Sequence, residues 1–179
     1  LDLKRASRDK NCLLFILFSY IIGREVNALR IAIGCDHGGY TLKKDIVGFL
    51  NSEGHEIIDF GTNSEDSVDY SDYGEPVARY VVEGKADFGV IMCGTGIGIS
   101  ISANKVPGAR CALLSDCFSA RMTRLHNDAN LIAMGGRVLG PELAVEILRA
   151  FLSTPFSGDE RHVRRIDKIA AIEKKFSCE

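Results

Sequence analysis

From Arg30 onward, short apolar runs alternate with segments whose apolar residues recur every three or four positions. Ile31-Ala32-Ile33-Gly34-Cys35 is apolar throughout and short, which predicts a strand buried on both faces. Leu42, Ile46, Phe49 and Leu50 then give a helical stripe. The pattern repeats: a strand at His55–Phe60 closed by Gly61, a loop at Thr62–Asp69, and a helix marked by Val77, Tyr80 and Val81. Further strands are predicted at Phe88–Cys93, Arg110–Leu114 and Asn130–Met134, with helices at Ile99–Asn104, Phe118–Leu125 and Leu143–Leu152. Five β-then-α units predict a five-stranded parallel sheet, because each parallel connection must cross over through a helix. The expected fold is therefore α/β, a Rossmann-like three-layer α/β/α sandwich. A last helix, Arg161–Phe176, has no strand after it and is expected to pack on a partner subunit.

Residues 1–28 break this pattern. Lys4, Arg5, Arg8 and Lys10 precede the apolar run Cys12–Ile22, a layout close to a signal peptide but lacking an A-x-A cleavage site. The run is shorter than the roughly 20 residues that a bilayer span needs. Residues 1–28 are read as an appendage outside the fold, leaving 29–179 as one domain. The 179-residue chain is 46% hydrophobic and 26% charged, enough for a single full core. A net charge of -2 supplies no basic field for nucleic acid, so the expected partner is a small molecule. The six cysteines form no CxxC pair, which predicts reduced thiols in a cytoplasmic protein and no metal site.

The chemistry concentrates where the third strand runs into Cys93-Gly94-Thr95-Gly96-Ile97-Gly98-Ile99-Ser100. A strand, a glycine turn and a helix start aim successive backbone N–H groups at one spot, fit for an anion or a developing oxyanion. Cys93, at the mouth of that turn, is a candidate base or nucleophile. Ligands in such sheets bind beyond the carboxyl ends of the strands, where Asp36, His37 and Arg137 are also expected. Singly, Asp36 is as readily a helix cap and His37 a surface histidine. Together these groups describe an acid/base site for a phosphorylated substrate. His126 and Asn127 follow a helix and precede the fifth strand, so they are expected at the opposite edge of the same chain.

Six motifs now stand in order: Gly34-Cys35-Asp36-His37-Gly38-Gly39, Val68-Asp69-Tyr70, Cys93 to Ser100, Ala103-Asn104-Lys105, His126-Asn127-Asp128-Ala129-Asn130 and Arg161-His162-Val163-Arg164-Arg165. This series resembles the type B ribose-5-phosphate isomerases of the ribose/galactose isomerase family, from Arg30 to about Phe176. The resemblance implies interconversion of ribose 5-phosphate and ribulose 5-phosphate through an enediolate, without metal or organic cofactor. It implies Cys93 as the proton-moving base, Thr95 as its positioner, and Gly94, Gly96, Gly98 and Ser100 in the loop facing the enediolate. It assigns furanose opening to His126, the sugar oxygens to Asp36, and a pocket wall to Tyr70. His37, Arg137, Arg161 and Arg165 match phosphate ligands. It further implies a homodimer, or a tetramer, whose sites take His126, Asn127 and Arg137 from the second chain. Ser71 departs from the proline common after Asp-Tyr, and Asp159 and Glu160 set two acids beside the phosphate arginines. Two alternatives stay open: a galactose-6-phosphate isomerase subunit or another six-carbon enzyme, and a non-catalytic flavin or nucleotide phosphate module.

Overall fold

The computed structural model describes residues 28–176. The expectation for the appendage, including Cys12–Ile22, lies outside the described residues apart from residue 28. Five strands follow in order: β1 (Arg30–Cys35), β2 (Glu56–Asp59), β3 (Phe88–Cys93), β4 (Cys111–Leu113) and β5 (Leu131–Gly135). The helices are α1 (Tyr40–Ser52), α2 (Ser71–Val82), α3 (Ile97–Ala103), α4 (Cys117–Asn127), α5 (Pro141–Leu152) and α6 (Glu160–Phe176). All strand pairs are parallel, in the order β2-β1-β3-β5-β4. The three-layer α/β sandwich expected from the periodicity is therefore the observed fold.

Strand alternation sorts the core into two layers. Ile31, Ile33, Val90, Met92, Ile132 and Met134 face Leu42, Ile46 and Leu50 of α1 and Ile147, Leu148 and Phe151 of α5. Ala32, Ile91, Cys93, Leu131 and Ala133 face the other way, against Val77 and Val81 of α2 and Ile99 and Ala103 of α3. Cys93 thus points to the face that carries the helix following its own turn. The edge strands β2 and β4 are shorter than predicted, four and three residues. Each has one neighbour only, so less of its length is held by pairing.

Chain order reverses between β1 and β3: the chain leaves β1 toward β2 on one side and returns to build outward from β3 on the other. Such a switch point opens a crevice at the carboxyl ends of the two strands. Asp36 and Cys93 stand on its two sides. Ser71, in place of proline, is accommodated as the first residue of α2. That turn closes without proline, with Gly74 N–H donating to Tyr70 O at 3.0 Å.

The final helix, α6, is anchored on its own chain near its start: His162 is 3% exposed and its ring meets His126 of α4 at 4.4 Å between centroids. Farther along, Gly108 N–H donates to Glu173 Oε2 at 3.1 Å. Val163, Ile169, Ile172 and Phe176 nevertheless remain exposed along it. Among the described residues no helix is long and apolar enough to cross a membrane.

Candidate active site

Because β1, β3 and β5 lie side by side and parallel, the loops leaving their carboxyl ends meet backbone to backbone. A Cβ on Gly38 would sit 2.8 Å from Gly94 N, and one on Gly136 would sit 2.5 Å from Gly38 O. Gly136 N–H donates to Cys93 O at 2.8 Å, and Arg137 N–H donates to Gly94 O at 3.0 Å. The Arg137 guanidinium comes back over Gly94, 3.4 Å from where a Cβ would stand. This places Arg137 beside the cysteine turn of its own chain. The expectation that it comes to that turn from a second chain is corrected, since β5 pairs directly with β3.

Asp36 is 5% exposed, and its Oδ1 accepts from Gly38 N–H at 2.8 Å and Gly39 N–H at 3.1 Å. Asp36 is not the cap of α1, which is Gly39 without a side-chain bond; its two bonds close the turn before the helix and fix the carboxylate at the crevice. His37 Nδ1 accepts from Val68 N–H at 3.2 Å, which leaves Nε2 as the ring's donor. Cys93 is 4% exposed, and Gly96 N–H donates to its Sγ at 3.1 Å. Thr95 Oγ1 accepts from Ile97 N–H at 3.3 Å, so its bond holds the turn and not the thiol. Ser100 donates its N–H to Gly96 O and its hydroxyl to Ile97 O, spending both inside α3. A helix start leaves four N–H groups without intrahelical partners. The turn itself uses those of Gly96 and Ile97, and Ile99 is fully buried, which leaves Gly98 as the partly exposed residue of the first turn at the crevice. Tyr70 lies across this spot, its ring carbons 2.7 to 2.9 Å from a Cβ built on Gly98.

Gly96 is the residue this turn depends on. Its φ is 78°, and a Cβ there would lie 2.5 Å from Leu113 Cδ1 and 2.8 Å from the Met134 carbonyl carbon. The left-handed backbone alone costs a non-glycine residue roughly 1–2 kcal/mol, and the clash with backbone adds to it. Gly96→Ala is expected to lower the thermal midpoint and to displace Cys93, with activity falling further than stability. Thermal denaturation and turnover, measured on the same preparation, check this.

A second group of residues lies at the other edge. Helix α4 runs back from the carboxyl end of β4 and delivers His126 and Asn127 near the start of β5, as the order of elements required. β5 alone separates the two edges by four steps of about 3.3 Å, roughly 13 Å. The α4 terminus is braced: Asp128 has φ 44°, and its carboxylate bridges Arg124 Nη1 at 2.7 Å and Arg110 Nη2 at 3.1 Å. Arg124 is 7% exposed, lies over the Phe88 ring and donates to Ala129 O. Arg161 and Arg165, one turn apart on α6, join His126 at this edge through their neighbour His162. Burial holds the His162 imidazole below the usual histidine range, aided by His126, Arg161 and Arg165 and opposed by Asp159.

Residues 31–169 match the family model described as Ribose/Galactose Isomerase. The chain belongs to the ribose/galactose isomerase family. Ribose-5-phosphate isomerase B of Escherichia coli (strain K12) is 47% identical over 146 residues, 82% of this chain and 97% of that protein. A solved structure of Clostridium thermocellum ribose-5-phosphate isomerase B superposes with a TM-score of 0.81 at 52% identity, covering 83% of this chain and 99% of that one. Another, Mycoplasma genitalium ribose-5-phosphate isomerase B with bound ribulose-5-phosphate, gives 0.76 at 37% identity over 81% and 96% of the two chains.

Within this member of the family, one edge gathers Asp36, His37, Tyr70, the turn from Cys93 to Ser100, and Arg137. The other gathers His126, Asn127, Arg161 and Arg165. Sequence reasoning gave no role to the bracing residues Arg110, Arg124 and Asp128 or to the buried His162, although Asp128 and His162 stand inside two of the motifs. Only the αL capacity of an Asp after a helix hinted at Asp128.

Proposed function

We propose that this chain interconverts ribose 5-phosphate and ribulose 5-phosphate, with Cys93 as the base. The observation that carries the reading is Cys93 at the switch-point crevice, at the mouth of a glycine turn that leads into a helix start. Proton transfer next to a carbonyl needs a base in reach and a trap for the enediolate oxygen. In this scheme the Cys93 thiolate removes the proton from C2 of the open-chain aldose. The electron pair forms the C1–C2 double bond, and the C1 oxygen becomes the oxyanion held at the glycine turn from Gly94 to Gly98. Transfer of the hydroxyl proton from O2 to O1 and return of the carbon proton to C1 give the ketose. No step calls for a metal or a redox cofactor.

A phosphorylated pentose also needs its ring opened and its dianion held. His126 is assigned the first task and Arg161 with Arg165 the second. Asp159 lies 3.6 Å from the exposed Arg161 guanidinium. Such a surface pair is worth roughly 0–1 kcal/mol, so it competes weakly with a phosphate taking charge-assisted bonds from two arginines. Since Cys93 and His126 sit at opposite edges of one chain, the working site is shared in a two-fold homodimer, each chain presenting its His126 edge to the other's Cys93 edge. The exposed apolar residues of α6 fit that contact. Free thiols at Cys35, Cys93, Cys111 and Cys117 fit a reducing, cytoplasmic setting.

Coupled detection of ribulose 5-phosphate formed from ribose 5-phosphate tests the reading, with galactose 6-phosphate and allose 6-phosphate assayed beside it. Turnover of the pentose phosphate is expected to exceed that of either hexose phosphate. The opposite order would move the assignment to a six-carbon substrate.

A further inference from the structure

His162 is the buried residue of α6, in a helix whose other sixteen positions are at least partly exposed. Burying a polar ring in the first turn of a charged helix is unfavourable unless its polar atoms are satisfied and its position is needed. The first condition is met. His162 Nδ1 lies 2.9 Å from Ser157 Oγ and 4.0 Å from Asp159 Oδ2, and its N–H donates to Asp159 O at 2.8 Å. Ser157 N–H in turn donates to Leu125 O at 3.3 Å, one residue before His126. The His162 ring closes the circuit by meeting the His126 ring at 4.4 Å with 48° between planes.

We propose that His162 is a positioning residue for the furanose-opening step: its ring, locked by Ser157, holds the His126 imidazole at the angle that proton transfer to the sugar ring requires. The proposal rests on the reading of His126 given above. A buried leucine would fill the same space, but without a directional bond it would fix no ring plane. The imidazole is hydrogen-bonded at Nδ1 and packed against its neighbour, so its rotation and that of His126 are coupled. Because its burial disfavours a positive charge, His162 stands beside His126 without competing for the proton. The same anchor sets the spacing between His126 and the flanking Arg161 and Arg165, so ring opening and phosphate binding are referred to one fixed point.

The test uses the two directions of the reaction. Ribose 5-phosphate is a closed furanose, whereas ribulose 5-phosphate, with its C5 oxygen phosphorylated, is open-chain and enters without ring opening. In the full-length protein, kcat and KM are measured from each substrate for wild type, His126→Ala, His162→Ala and Ser157→Ala. His126→Ala sets the pattern: kcat falls far more from the furanose than from the open chain. His162→Ala is expected to show the same split, with a furanose-specific loss on the order of 10- to 100-fold for a misplaced group. Ser157→Ala, which keeps the buried ring but frees it, is expected to show a smaller split of the same sense and keeps the test open if His162→Ala does not fold. Equal losses from both substrates in the folded variants, or no loss, would overturn the proposal and leave His162 a packing residue. If His126→Ala itself shows no split, the ring-opening assignment of His126 fails, and the proposal with it. If wild type turns over neither substrate, the functional reading has failed first.

Discussion

Cys93→Ala is expected to lose isomerase turnover by a factor on the order of 100 to 10,000, the usual contribution of a positioned acid or base. The fold should survive. Cys93 lies in the layer of Ile91, Ile99 and Ala133, and removing one sulfur leaves a small void and one N–H, that of Gly96, without its acceptor. A lost bond of this kind costs about 1 kcal/mol, a modest part of a domain's stability. Substrate affinity should change little if, as proposed, the dianion is held by Arg161, Arg165, Arg137 and His37 and not by the thiol. Calorimetric titration with ribose 5-phosphate beside a turnover assay separates the two effects. An alanine variant that keeps most of the wild-type rate would exclude Cys93 as the base, and one that loses binding along with turnover would make it a structural residue.

Mixing two inactive variants should restore activity. Homodimers of Cys93→Ala and of His126→Ala each carry a lesion in both sites if every site takes Cys93 from one chain and His126 from the other. A heterodimer gathers both lesions in one site and leaves the second intact. With equal amounts unfolded together and refolded, random pairing makes half the dimers mixed, and roughly a quarter of wild-type activity returns. The expectation follows from the run of α4, which carries its chain from one edge of the sheet to the other before His126 is reached. Native mass spectrometry confirms that mixed dimers have formed. If they have and activity stays at the level of the parents, the shared site is wrong, and His126 would have to reach Cys93 within one chain.

The fold was legible in the sequence because each strand is buried on both faces and each helix on one, so apolar residues write two distinct periods into the chain. Boundaries drifted where that signal was weakest. The edge strands β2 and β4 came out shorter than predicted, and α3 begins at Ile97, two residues early, because Gly96 turns the chain in a left-handed conformation that no periodicity records. The turn after Cys93 was legible for a different reason: close backbone approach permits only glycine at certain positions, and Gly96 and Gly136 show that constraint directly.

Contacts between elements distant in the chain were not legible. Strand order put Arg137 at the carboxyl edge, whereas the resemblance drew it from a partner; it lies over Gly94 of its own chain because β5 pairs with β3, a neighbour relation that residue spacing does not reveal. Thr95 and Ser100 belong to the motif, and the bonds that each also makes to the helix start that follows were not visible in it. His162 looks like one more polar residue in a basic helix until α6 folds back against α4. The sequence by itself determined the layers, the crevice residues and the chemistry they can perform, since burial period and residue type are local properties. Which loops touch, which polar atoms remain open, and which ring presses on His126 were decided only by the tertiary structure, because each depends on packing between segments that the chain order keeps apart.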